Sequence, residues 1–93
     1  MTPEERHMAR VASVGCIVCL AILGRSWVPA TVHHCFDSSD RSDFLTIPLC
    51  YEHHQGANGF HRLGERTFNL RYKTSERRLL GLTLHQMELR RGP

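Results

Sequence analysis

The sequence predicts a small α+β domain in which metal ligands supplement the core, and three observations carry that prediction. The chain has 93 residues, enough for one domain with a modest hydrophobic core. Cys16-x-x-Cys19 and Cys50-x-x-His53 are two half-sites of the same metal-chelating spacing. Two short runs of β-branched and aromatic residues, 27–33 and 44–49, lie between segments of helical periodicity.

Taken in order, the chain opens on a helix. Thr2 is a natural N-cap, Pro3 suits the first helical position and Glu5 completes a capping box, with Met8, Val11 and Ala12 at helical spacing as far as Gly15. This helix packs on the core rather than taking part in recognition. Residues 16–26 read as a zinc knuckle and a loop closed by Gly24-Arg25-Ser26. The run 27–33 then forms a short strand that delivers His33-His34 at its end, and Pro29 makes it an edge or irregular strand.

Residues 37–43 are polar turn chemistry and read as a loop. The run 44–49 returns as a second short strand. A helical turn begins near Cys50 and carries His53 and His54, and Gly56-Ala57-Asn58-Gly59 interrupts it before Phe60-His61. A helix over roughly 64–73 buries Phe68 and Tyr72, four residues apart. Thr74 or Ser75 caps a last helix whose Leu79, Leu80, Leu82, Leu84 and Met87 form core or a dimer seam, core being the simpler reading. The whole divides into an N-terminal helix (1–15), a central metal-binding region (16–62) and C-terminal helices (63–93).

Composition narrows the class of function. Twelve Lys+Arg against nine Asp+Glu leave a formal charge of +3, and eleven of the twelve bases are arginine, which grips phosphate in a bidentate fork. That leans toward nucleic acid, although an ordinary solvated surface accounts for the charge equally well. The charged amino terminus is unlike a signal peptide, and no stretch approaches the length needed to span a bilayer. The expectation is a cytoplasmic protein with reduced thiols, in which a Cys-x-x-Cys pair is a zinc knuckle or a redox motif rather than a bridge. The redox reading lacks a βαβ context around Cys16.

Cys16, Cys19, Cys50 and His53 together suit one tetrahedral zinc ion. Cys35 is a spare thiol beside His34, an alternative ligand or, more simply, a small buried residue. The histidine pairs carry a sharper expectation. Neighbours on a strand point to opposite faces, so His33 and His34 take different roles. One can ligate a metal while the other, as a neutral imidazole, accepts a proton from water.

These residues match a family. Cys16-x-x-Cys19, Val32-His33-His34 and Ile47-Pro48-Leu49-Cys50-x-x-His53-His54 resemble the HNH endonucleases of the ββα-metal, or His-Me finger, superfamily. The likeness is to phage-type members of the recombination enhancement (Ref) nuclease group. The opening helix leading into Val14-Gly15-Cys16 and the tail His61-x-x-Gly64-x-x-Thr67-Phe68, then Arg71-Tyr72, also look like that group, so the resemblance spans nearly the whole chain.

The resemblance implies a ββα-metal core with a zinc knuckle and flanking helices, and it implies roles. By that likeness His33 binds the catalytic metal, His34 is the general base, His54 is the metal-binding histidine on the helix, and His53 stands where many relatives carry a second zinc-binding cysteine. His61 is a third metal ligand by analogy, although it lies seven residues after His54 rather than four; otherwise it contacts DNA or caps a helix. The family asparagine is missing, Phe44-Leu45-Thr46 standing in its place, so Asp43 or Thr46 is left to tether the loop.

The reading is therefore a metal-dependent DNA endonuclease of low sequence specificity, phage or prophage encoded, acting in the host cytoplasm and leaving 5′-phosphate and 3′-hydroxyl ends. It would hold a structural zinc ion and one catalytic divalent ion: zinc, manganese, nickel or magnesium. Arg62, Arg66, Arg71 and Lys73 could hold flanking phosphates or could be solvated surface. Partners would be DNA and a recombinase filament or other phage protein, with no membrane, and the chain would be a monomer or a homodimer. The rival from another class is a zinc-stabilised nucleic-acid-binding or recombination-accessory module without cleavage, which the missing asparagine favours and the intact histidines oppose.

Overall fold

The computed structural model describes residues 1–36 and 41–90. Helix α1, Pro3–Ser13, starts as its sequence dictates. The Thr2 hydroxyl accepts from the Glu5 amide at 3.1 Å, and the Glu5 carboxylate reaches back to the Thr2 amide. Gly15 then adopts a positive φ of 81°, with the indole of Trp27 lying so close that a Cβ there would sit 2.6 Å from its ring atoms. Only glycine fits that turn without displacing the indole.

The knuckle is more regular than the expected loop: Val18–Ile22 form a π-helical turn, and the Arg25 amide donates to the Cys19 carbonyl at 2.7 Å. The first strand, β1, is shorter than 27–33 and covers Thr31–His34. Trp27 and Val28 are used elsewhere. The indole N–H donates to the Ser13 carbonyl at 3.2 Å and the Val28 carbonyl accepts from the Cys16 amide at 2.9 Å, so both close the end of α1. Pro29 follows with no amide to give to a ladder.

Strand β2 covers Thr46–Leu49 and pairs antiparallel with β1, His33 opposite Ile47 and His34 opposite Thr46. Phe44 and Leu45, expected in this strand, precede it and are 45% and 38% exposed. Pro48 is tolerated because both strands of a two-stranded sheet are edges. The expected loop 37–43 falls partly on residues 37–40, which lie outside the described residues. Within β1 His33 is buried and His34 half-buried, although burial does not alternate along the strand, Thr31 being exposed and Val32 half-buried.

Helix α2, Tyr51–His54, follows directly, with Cys50 at its N-cap. A turn through Gly56 and Gly59 leads into α3, Phe60–Leu63, and Gly64 at φ 83° separates α3 from α4, Glu65–Tyr72. Helix α5, Glu76–Arg90, is capped by Ser75, whose hydroxyl accepts from the Arg78 amide at 3.0 Å. The leucine set divides: Leu79 and Met87 are buried, Leu80 and Leu82 half-buried, and Leu84 is 45% exposed.

Ile17, Ile47, Leu49, Phe68 and Leu79 centre the main core beside the knuckle, and Val11, Val14 and Met87 form a smaller one between α1 and α5. Phe68 and Tyr72 pack with ring centroids 4.7 Å apart and planes tilted by 51°, in contact as their spacing predicts. The result is a small α+β fold with, among the described residues, one two-stranded sheet. No helix among the described residues is long and apolar enough to cross a membrane.

Candidate metal centre

Among the described residues, two groups of side chains that could hold a metal ion come together, and α2 separates them. His53 and His54 are successive residues on one short helix, about 100° apart around its axis, so they face different neighbours. His53 turns to the knuckle. Its Nδ1 lies 3.6 Å from Cys16 Sγ, 3.5 Å from Cys19 Sγ and 3.2 Å from Cys50 Sγ, and Cys19 Sγ and Cys50 Sγ are 3.9 Å apart. A tetrahedron with zinc–sulfur bonds of about 2.3 Å and a zinc–nitrogen bond of about 2.0 Å has edges of roughly 3.8 Å between sulfurs and roughly 3.5 Å from sulfur to nitrogen. The four donors fit that tetrahedron and are positioned to hold a metal ion, compatible with structural zinc.

All four cysteines are free and buried, and 3.9 Å is far beyond a disulfide bond length. In the metal-free chain, burial pushes the Cys16 thiol up to about 12 and also raises Cys19, while burial lowers His53. The His53 imidazole is thus a neutral donor, whereas the thiols must give up protons to bind an ion. Cys35, the spare thiol, is buried in the main core and pushed up to about 12 by burial and the nearby Glu76 carboxylate.

His54 turns the other way. One ring nitrogen each of His33, His54 and His61 lie within 4.8 Å of one another. His54 Nε2 and His61 Nε2 face each other at 3.1 Å, and the Thr31 hydroxyl is 3.1 Å from His54 Nδ1. That hydroxyl also donates to the Leu49 carbonyl at 3.4 Å, so its oxygen is left to accept from His54 Nδ1–H, which leaves Nε2 with its lone pair toward His61. Burial, with smaller contributions from His33 and His61, lowers His54 to about 4 and keeps it neutral.

His61 arrives there because of the glycines. A Cβ at Gly59 would lie 2.7 Å from the His54 carbonyl carbon, so only glycine permits the chain to fold back against the end of α2. Breaking the helix is what brings the distant histidine to the cluster. The three imidazoles open onto a cavity of about 480 Å³ whose wall also holds His34, Arg41 and Glu76.

His34 lies on the other face of β1 and is held at both ring nitrogens. Nε2–H donates to Asp43 Oδ1 at 2.7 Å, since a carboxylate can only accept, and Arg41 Nη2 donates to Nδ1 at 2.8 Å. Both residues considered for tethering the loop are used: the Thr46 hydroxyl donates to the Asp43 carbonyl at 3.1 Å, and the Asp43 carboxylate goes to the histidine.

Two cavity residues escape sequence reasoning. Glu76 reads as an ordinary acid in the first turn of α5, yet it is only 6% exposed. Its Oε2 accepts from His33 Nε2–H at 3.0 Å and from the Phe36 amide at 3.3 Å, holding the histidine and the chain after β1 together. Arg41 sits in a polar run that signals only a turn. Arg62, Arg66, Arg71 and Lys73 are exposed and outside the cavity wall; Arg71 donates to Asn58 Oδ1 at 2.8 Å and so braces the glycine turn. In comparisons with known protein families, characterised proteins and solved structures, nothing matches this chain.

Proposed function

We propose that the chain is a metal-dependent DNA endonuclease of the HNH, ββα-metal type. One observation carries the reading: three imidazoles converge on one point of a cavity while a fourth, His34, is held by a carboxylate at the wall of the same cavity. The order β1, β2, α2, with ligands at the end of a strand and on the following helix, supports a ββα-metal unit. The donor set fits the ion such a unit needs, because three neutral nitrogens leave coordination positions open for water and phosphate. A divalent ion held by His33, His54 and His61 would supply Lewis-acid stabilisation at the scissile phosphate and the leaving oxygen.

The protein groups do the rest. His34 Nδ1 takes a proton from the attacking water as its oxygen closes on phosphorus, the bond to the 3′ oxygen breaks, and that oxygen takes a proton from solvent water, leaving a 5′-phosphate and a 3′-hydroxyl. Asp43 keeps the imidazole in the tautomer whose lone pair is on Nδ1 and stabilises the imidazolium that results. Glu76 fixes the ring of His33, the usual service of a carboxylate behind a ligating histidine. Exposed Arg62 and Arg66 are available for flanking phosphates.

A second reading, a zinc-stabilised nucleic-acid-binding or recombination-accessory module without cleavage, is favoured by one specific observation: both ring nitrogens of His34 are engaged. Nicking of supercoiled plasmid, assayed with each divalent cation for the intact chain and for His34→Ala, separates the two. The nuclease reading expects cation-dependent nicking that His34→Ala abolishes. Nicking by neither protein with any cation supports the binding module, and equal nicking by both removes His34 as the base.

A further inference from the structure

The side chain opposite Asp43 on His34 is the least expected feature of the cavity. Arg41 is exposed, lines the wall with the three ligating histidines, and donates Nη2–H to His34 Nδ1 at 2.8 Å. Other arginines are committed away from the histidines: Arg71 to Asn58 Oδ1, Arg90 to the Ser13 and Val14 carbonyls, and Arg6 to the Met1 carbonyl. In the chain as it stands, Arg41 covers the one lone pair of the neutral imidazole.

That hydrogen bond is a weak use of a guanidinium. A neutral ring nitrogen offers one acceptor site, whereas a phosphodiester offers two anionic oxygens that match the guanidinium fork and give shorter, charge-assisted bonds. We propose that Arg41 is the phosphate-binding side chain of this site and that DNA binding moves its fork from His34 Nδ1 to the backbone phosphate, uncovering the nitrogen. The proposal rests on the nuclease reading. It turns the double engagement of His34 from an obstacle into a resting state, since a free Nδ1 appears only when a phosphate is in place.

The test uses the zinc-loaded full chain and a 20-base-pair fluorescent duplex, with binding measured by anisotropy against salt and without further divalent cation. Arg41→Ala, Arg41→Lys and the same changes in a His34→Ala background are compared with the parent proteins. Loss of one phosphate contact lowers the slope of log affinity against log salt by about one and weakens binding roughly fivefold near 0.1 M salt. Arg41→Ala is expected to do both with His34 present or absent, and Arg41→Lys to restore part of the slope. In plasmid nicking, Arg41→Ala is expected to raise KM, because a contact to the bound phosphate is lost.

Unchanged binding and salt slope in Arg41→Ala would overturn the proposal, as would a loss seen only when His34 is present, since Arg41 would then act on the histidine alone. If the parent protein nicks DNA and Arg41→Ala matches it in KM and binding, this inference fails while the nuclease reading stands. If the parent neither binds nor nicks DNA, both fail.

Discussion

Asp43 Oδ1 accepts a hydrogen bond from His34 Nε2–H at 2.7 Å, across the hairpin loop between β1 and β2. The bond specifies a tautomer as well as a position. Removing it frees the ring to turn and to place its proton on either nitrogen. Asp43→Ala is expected to lower the plasmid-nicking kcat by about ten- to a hundredfold, the usual penalty for losing a carboxylate that orients a functional histidine. The fold should be unaffected, because the Asp43 side chain is 43% exposed and such pairs add little stability. Equal kcat for Asp43→Ala and the parent would show that the pairing does not serve catalysis.

Much of this geometry was legible before any coordinate. The cysteine and histidine spacings point to the cluster of Cys16, Cys19, Cys50 and His53 because chelation by residues three apart is a local property of a turn. The strand period assigned His33 and His34 to different faces for the same reason. Glu76 was not legible. Its partner His33 is 43 positions away, and nothing in the first turn of a helix tells a buried carboxylate from a solvated one. The run 27–33 exceeds β1 because Trp27 has the right propensity for a strand but packs on Gly15 instead, a tertiary preference that overrides the local one.

His53 and His54 are adjacent in sequence and opposite in consequence. A structural zinc site in a small domain supplies on the order of 10 kcal/mol, comparable with the whole 5–15 kcal/mol by which domains are stable. His53→Ala is therefore expected to lose zinc and unfold, read by metal counting and circular dichroism. His54→Ala should keep its zinc and its fold while losing nicking activity. A folded, zinc-loaded His53→Ala would remove that residue from the zinc site.

The buried thiols would give metal binding at this cluster a pH signature. Burial raises Cys16 to about 12 and also raises Cys19, so in the metal-free chain both are protonated at neutral pH. An ion takes them as thiolates, which releases protons, and apparent zinc affinity must rise with pH. Competition against a colorimetric chelator should show affinity climbing between pH 6 and 8 by more than one decade per unit, the mark of more than one proton released. Cys16→Ser should abolish tight binding. A pH-independent affinity would contradict thiolate ligation.

His54 sets the acid side. Its folded value is lowered to about 4, so the folded state refuses a proton that the unfolded chain accepts near 6.5. The unfolded state then binds more protons in that window, and the stability that neutral His54 confers above pH 6.5 is lost progressively as pH falls toward 4. For zinc-loaded protein, denaturant unfolding is expected to show a loss of roughly 1 kcal/mol between pH 7.5 and 5.5 from this group. His54→Gln should flatten that slope. An unchanged slope in the variant would assign the acid sensitivity to another residue.

Glu76 joins three parts of the fold: α5, the histidine of β1 and the Phe36 amide, where φ is +60°. Truncation to alanine leaves two donors without their acceptor in a site only 6% exposed, at about 1–3 kcal/mol each. Glu76→Ala is thus expected to lower unfolding free energy by roughly 2–6 kcal/mol. Glu76→Gln separates stability from function, because its amide oxygen can still accept both hydrogen bonds made to Oε2 while the charge behind His33 is gone. For Glu76→Gln the expected outcome is a fold close to the parent's, with the cation concentration giving half-maximal nicking raised about ten- to a hundredfold. A glutamine variant with the parent's cation dependence would mean that the carboxylate serves the fold alone.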